Sequence, residues 1–377
     1  MLRLSLIIVG FFLALIGLGG ILILESGNST FQMSAKLKSQ SLQGDRNQAD
    51  RYQQLLKQAM ERANLYEHEI QENHLYMGMI VNRDSSGGVR GECDSLLFSS
   101  LRFVALNKLG FEDKAADAWK HITRAEDRGR WYRHPKCRRR STSRDMIVGV
   151  LAALSQQPEG GEHYLRNLLH YIDESGGYIG SGPFHVSRLS PGLAQTLRLL
   201  ADNYKIERDI LPPQVLFGYS TLELNAISVP KGYRSHLVAM NAWLELELQS
   251  RNHSFDSSFR SPTELLDHLM LPVSPHSFHE QRLKWVSGML VDLDSENLFF
   301  QWLQLKAAGA LNTKTKADLL EKLIGMEQFP ESGLPQNCTR KADYLWQRDS
   351  KEYKSQQSIC NKTFSGVDFL WMLSLLV

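Results

Sequence analysis

Five stretches of this chain open on a tight polar cluster and then turn apolar on nearly every face. A helix of that kind has no stable place except inside a core. They read Gly91-Glu-Cys-Asp-Ser before LLFSSLRFVAL, Ser141-Thr-Ser-Arg-Asp before MIVGVLAAL, and Ser187-Arg-Leu-Ser-Pro before GLAQTLRLLA. Gly232-Tyr-Arg-Ser-His before LVAMNAWLEL and Ser365-Gly-Val-Asp before FLWMLSLLV complete the set. The markers Asp94, Asp145, Ser190 and Ser235 lie 51, 45 and 45 residues apart. The longer gap to Asp368 leaves room for one more unit, entered through Asp294-Ser-Glu before NLFFQWLQLKAAGAL. Amphipathic stretches such as Glu112–Glu126 and Glu162–Ile172 fall between them and suit an outer layer. Gly, Pro and Ser clusters separate the helical segments, and strand patterns are scarce, Gln214–Tyr219 and Leu222–Val229 being the two short candidates. The expected fold class is mainly α, an array of α/α helical pairs. The rival is an irregular bundle of capped core helices, since Ser, Thr and Asp at helix starts are ordinary caps and dipole partners.

Six such pairs closed into a ring resemble the (α/α)6 toroid of certain glycoside hydrolases and polysaccharide lyases. The resemblance covers residues 85–377 and rests on architecture and on the polar helix starts, with no diagnostic catalytic motif. In that superfamily the inner-helix starts collect at one mouth and carry the catalytic acids and the sugar-binding groups. What the resemblance implies here is a place to look.

Glycosidic cleavage uses one carboxyl as proton donor and a second as base or nucleophile. The catalytic candidates are therefore Asp94 and Asp145, on successive apolar helices, with Glu92 beside them. The segment from Arg128 to Asp145 is rich in arginine and carries Trp131 and Tyr132. Guanidinium forks bind carboxylates or phosphates in pairs of hydrogen bonds, and aromatic faces stack on sugars or hold arginine stems. Candidate ligand contacts are Trp131, Tyr132, Arg139, Arg144, His185, Arg188, Tyr233, Arg234, His236 and Asp368. Each has a plain alternative: a solvated basic face, a structural turn at Gly176–Arg188, or satisfied helix-start residues. The glycine-rich turn lacks the GK[ST] ending of a phosphate loop and the GxSxG spacing of a nucleophile elbow.

The first residues set the compartment. Leu4 to Leu24 reads LSLIIVGFFLALIGLGGILIL, without charge or proline, long enough to cross a bilayer as a helix. No small-x-small cleavage site follows it, which favours a retained signal-anchor over a cleaved signal peptide. The expected division is an anchor over 1–25, a linker and long helix over 26–84, and a helical domain over 85–377. The helix is expected from Asp45 to about Ile80, with an apolar stripe packed on the domain or pairing as a coiled coil. Four cysteines fit disulfides in an oxidising compartment such as the periplasm. Four cysteines allow three pairings; local pairing gives Cys93–Cys137 and Cys338–Cys360. The topology expected is a single-pass protein of the cell membrane with its bulk outside the cytoplasm.

A net charge of +2 gives no general pull toward nucleic acid. No nucleotide, flavin, haem or zinc signature is present, so no cofactor and no metal are expected. The expected function is capture, with or without cleavage, of an anionic polysaccharide. The alternative is a non-catalytic assembly subunit of a cell-envelope or secretion complex that grips an envelope protein partner.

Overall fold

The computed structural model describes residues 47–84, 86–90, 92–138, 142–180, 188–206, 233–251, 275–326, 329–332, 362–363 and 365–377. The expected span at Leu4–Leu24, the two strand candidates and the Cys338–Cys360 pair lie outside these residues. Among the described residues no helix is long and apolar enough to cross a membrane. The chain divides into two units, Met1–Gln54 and Leu55–Val377. The first is described only over 47–54, which is helical. The second holds all the other described residues.

It is mainly helical. Helix α1 occupies 55–73, followed by α2 (Ser95–Lys108), α3 (Glu112–Thr123), α4 (Arg144–Leu154) and α5 (Gly161–Glu174). Next come α6 (Pro191–Asn203), α7 (Tyr233–Arg251) and α8 (Pro275–Leu293), then α9 (Leu298–Ala307), α10 (Thr313–Gly325) and α11 (Val367–Leu376). The expected helix to Ile80 stops short at residue 73. Leu75–Tyr76 (β1) and Met79–Ile80 (β2) instead form a hairpin whose turn, Met77-Gly78, has positive φ at both positions. That is the two-residue turn whose twist matches paired strands. Asn82–Asp84 (β3) pairs with Val89–Arg90 (β4) and with Lys362–Thr363 (β7). Glu126–Asp127 (β5) pairs with Arg130–Trp131 (β6).

The helices sort by the company they keep. α2 packs on α4, α4 on α6 and α7, α6 on α7, α7 on α9, α9 on α11, and α11 back on α2. Five of these are the segments whose sequences are apolar on nearly every face, and α9 is the unit entered through Asp294-Ser-Glu. α11 is buried along its whole length up to Leu376. α3 packs on α2, α5 on α4, α8 on α7 and α9, and α10 on α9 and α11, each adding a second layer. α1 belongs to that layer too. It buries Ala59, Arg62, Ala63, Tyr66, Glu67 and Ile70 at helical spacing, so its stripe faces the core.

Neighbouring inner helices run in the same sense, start beside start. The Leu97 amide near the start of α2 donates to the Met146 sulfur near the start of α4, at 3.4 Å. At the far ends, the Tyr204 hydroxyl after α6 donates to the Leu154 carbonyl ending α4, at 2.8 Å. Gly149 lets α2 and α4 approach closely: a Cβ there would sit 2.8 Å from the Leu97 Cα. The middle is filled. Trp243 and Trp371 meet edge to face at 4.7 Å, with Phe299 5.9 Å from Trp371. Lys108 at the end of α2 reaches α7, pairing with Glu247 at 2.9 Å and lying 5.5 Å from the Trp243 ring.

Two ion pairs are buried between layers. Arg102 of α2 meets Glu67 of α1, with Nε donating at 3.0 Å, and Arg282 of α8 meets Glu245 of α7. Arg62 caps the far end of α10, donating to the carbonyls of Ile324 at 2.8 Å and Phe329 at 2.9 Å.

Candidate functional site

Asp94 precedes the first residue of α2, where an aspartate ordinarily caps the helix. It makes no such hydrogen bond. Its half-exposed carboxylate is instead ion-paired with Arg133. Arg133 also donates to the Cys93 carbonyl at 3.5 Å, while its own carbonyl accepts from the Leu96 amide at 3.1 Å. The β6–α4 loop is thereby laid along the start of α2. Cys93 and Cys137 close the same junction with a disulfide, Cα atoms 5.7 Å apart, joining the short 3-10 turns Glu92–Asp94 and Pro135–Cys137. The side chains of Glu92 and Tyr233 lie outside the described set, as do Arg139 and His185.

The two aromatics of this loop are both buried. Trp131 is wholly buried, with its ring 6.4 Å from Trp119 and 5.9 Å from Tyr164. On the β5–β6 hairpin its side chain points inward, and burial of so large an apolar surface fixes it there. Tyr132 is 7 % exposed and occupied by cations, with the guanidiniums of Arg130 and Arg138 at 4.8 and 5.8 Å from its ring. It acts as a holder of arginine stems, the other role open to it.

Asp145 is the second residue of α4 and half-buried. It has no hydrogen bond or ion pair to any described residue. Beside it Arg144 is exposed, and its Nε donates to the Arg188 carbonyl at 3.4 Å. Arg188 is held by an antiparallel bridge to Tyr178 and rests its guanidinium 4.9 Å from that ring. Ser190 then caps α6, accepting from the Leu193 amide at 3.3 Å. The structure thus brings Arg144, Asp145 and Arg188 together, at two adjacent helix starts.

The remaining candidates divide by burial. Arg234 is exposed at the start of α7. Two residues on, His236 is 2 % exposed, its ring 5.1 Å from Phe300 of α9. Burial pushes its pKa down to about 3, so the ring is neutral at ordinary pH. Asp368 is 5 % exposed in the first turn of α11, where the helix dipole favours a carboxylate. Both sit beneath the surface of the helix starts. Arg133 and Tyr178 belong to the cluster and were not singled out from the sequence. An open cavity of about 670 Å³ lies at the other end of the inner helices, between Gln157, His163, Tyr204 and Lys205, away from this cluster. Among the described residues no group of His, Cys, Asp or Glu is placed to hold a metal ion. No family model, no curated protein and no solved structure matches this chain.

Proposed function

We propose that this chain is a membrane-tethered, extracytoplasmic binding subunit that captures an anionic glycan at the starts of its inner helices. The observation that carries the reading is the pairing of adjacent helix starts: Arg144 reaching the Arg188 carbonyl, with the loop bearing Arg133 and Arg138 tied down beside them. Guanidiniums fixed at helix N-termini suit a carboxylate-bearing polymer, because the amide ends of the helices add to their field. The closed circuit of six inner helices, all with polar starts, supports a ring resembling the (α/α)6 toroid named above. Binding is favoured over hydrolysis because Asp94 is engaged by Arg133 rather than set across an open cleft from a second acid.

The test uses polygalacturonate and the full-length protein in detergent. Arg144→Gln with Arg188→Gln should weaken retention at least about tenfold, the loss of one charge-assisted hydrogen bond or more. Raising salt should weaken the parent protein more than the variant, since partly exposed charges are screened. Equal affinity for parent and variant would remove the site from this position. A second reading is favoured by one observation, that Asp145 has no partner among the described residues. If the parent shortens the polymer and Asp145→Asn does not while still holding it, the protein is an enzyme with Asp145 as its acid or base.

The tether has its own check. Full-length protein should stay with membranes after carbonate washing, and a reporter fused after Val377 should be active outside the cytoplasm. Soluble release would mean a cleaved leader, and a reporter active in the cytoplasm would reverse the topology.

A further inference from the structure

The turn Pro135–Arg138 is held in an uneven way. Up to His134 the loop is anchored to the core: Trp131 and His134 are wholly buried, and the Tyr132 amide donates to the Ala125 carbonyl at 2.7 Å. Beyond His134 the ties are weaker. The Cys137 amide donates to the His134 carbonyl at 2.8 Å and the Lys136 amide to the His134 Nδ1 at 3.1 Å, both within one turn of chain. Exposed Lys136 lies 4.4 Å from the Tyr76 ring, and exposed Arg138 lies 5.8 Å from that of Tyr132. Exposed cation–π contacts of this kind are weak. The strong tie is the disulfide, which joins this turn to a residue 44 positions earlier, at the threshold of α2.

We propose that the Cys93–Cys137 disulfide is a reducible strut of the anion-binding face: a dithiol donor that opens it loosens Pro135–Arg138, leaves the helical core standing, and releases a bound polyanion. The release half rests on the anion-binding reading above; the loosening does not. Cys93 is half-buried whereas Cys137 is 7 % exposed, so Cys93 is the less enclosed end of the bridge and the one open to attack in the proposed step. A thiolate of the donor attacks it, forming a mixed disulfide and expelling the Cys137 thiolate, which takes up a proton. The donor's second thiolate then attacks the donor sulfur of that mixed disulfide. The donor closes its own disulfide and the Cys93 thiolate leaves and is protonated. Two electrons and two protons have passed from donor to protein. The core is expected to survive because α2 and α4 also bury Leu96, Leu97, Leu101, Met146 and Ile147, apolar surface that the bridge does not supply.

The experiment treats full-length protein in detergent with dithiothreitol and follows amide hydrogen exchange, thermal melting and retention of polygalacturonate in the same samples. Exchange of the amides of 136–138 should quicken about tenfold or more while amides of α2 and α4 stay protected, the mark of local opening. Retention should fall about tenfold, as for losing one charge-assisted contact. The Cys93→Ser, Cys137→Ser variant should show both changes without reductant and no further change with it. Unchanged exchange at 136–138, or loss of protection throughout the helices, would overturn the strut. Loosening on reduction in a protein that never held polygalacturonate would leave the strut and remove both the release and the anion-binding reading.

Discussion

Arg102→Met is expected to lower the unfolding free energy by about 3–5 kcal/mol, the usual penalty for removing one partner of a buried ion pair. Arg102 and Glu67 are 3 % and 0 % exposed, and two guanidinium nitrogens face the two carboxylate oxygens. Without the guanidinium, the Glu67 carboxylate remains in a site made by apolar neighbours, and desolvation rather than lost attraction dominates the cost. Replacing both residues, Glu67→Met with Arg102→Met, should recover most of the loss, because the desolvation of two charges then disappears with their attraction. Urea denaturation of the single and double variants measures both numbers. A single variant within about 1 kcal/mol of the parent, the range of exposed pairs, would mean the pair is solvated.

Acidification is the second large lever, and His236 supplies it. In the unfolded chain a histidine has a pKa near 6.5, whereas in the fold it is pushed down to about 3. Between those values the unfolded chain binds a proton that the folded one refuses. Stability from this residue is therefore intact above the unfolded pKa and falls as pH drops through the window, by about 1.4 kcal/mol per unit. His236→Met, which keeps an apolar contact for Phe300, should remove that component. Between pH 6.5 and 4.5 the parent should lose on the order of 3 kcal/mol more than the variant. Parallel pH–stability curves for the two proteins would show that His236 is protonated in the fold.

The six inner helices were legible from the sequence, and for one reason. A segment that is apolar on nearly every face, as α4 and α11 are, has to be enclosed, whatever encloses it. The second layer was legible for the complementary reason at α3 and α5, whose polar faces demand water. The candidate site was legible only by composition. Arginines were visible in the loop before α4, but the same sequence that presents Arg138 also contains Trp131, whose burial depends on how Trp119 and Tyr164 approach it. Nor does a sequence say that Asp94 is engaged by a residue 39 positions later. The buried pairs left a fainter sign: a charge inside an otherwise apolar helix, as at Arg102 and Glu245, is tolerated there only with a partner.

What the sequence determined by itself is periodicity and local chemistry: mainly helical structure, which helices are enclosed, and the polar residues at their starts. The Cys93–Cys137 bridge was one of three open pairings until the fold chose it, because a disulfide requires two Cα atoms brought within about 7 Å. Only the tertiary structure decided the rest. It set neighbouring starts side by side, gave Asp94 to Arg133, left Asp145 without a partner among the described residues, and put His236 and Asp368 beneath the surface. The reason is that periodicity is a property of one segment and acts over a turn of helix. Whether a side chain at a helix start meets water, a cation or a neighbouring ring is fixed by the packing of other segments against it, over sequence distances at which the chain carries no local signal.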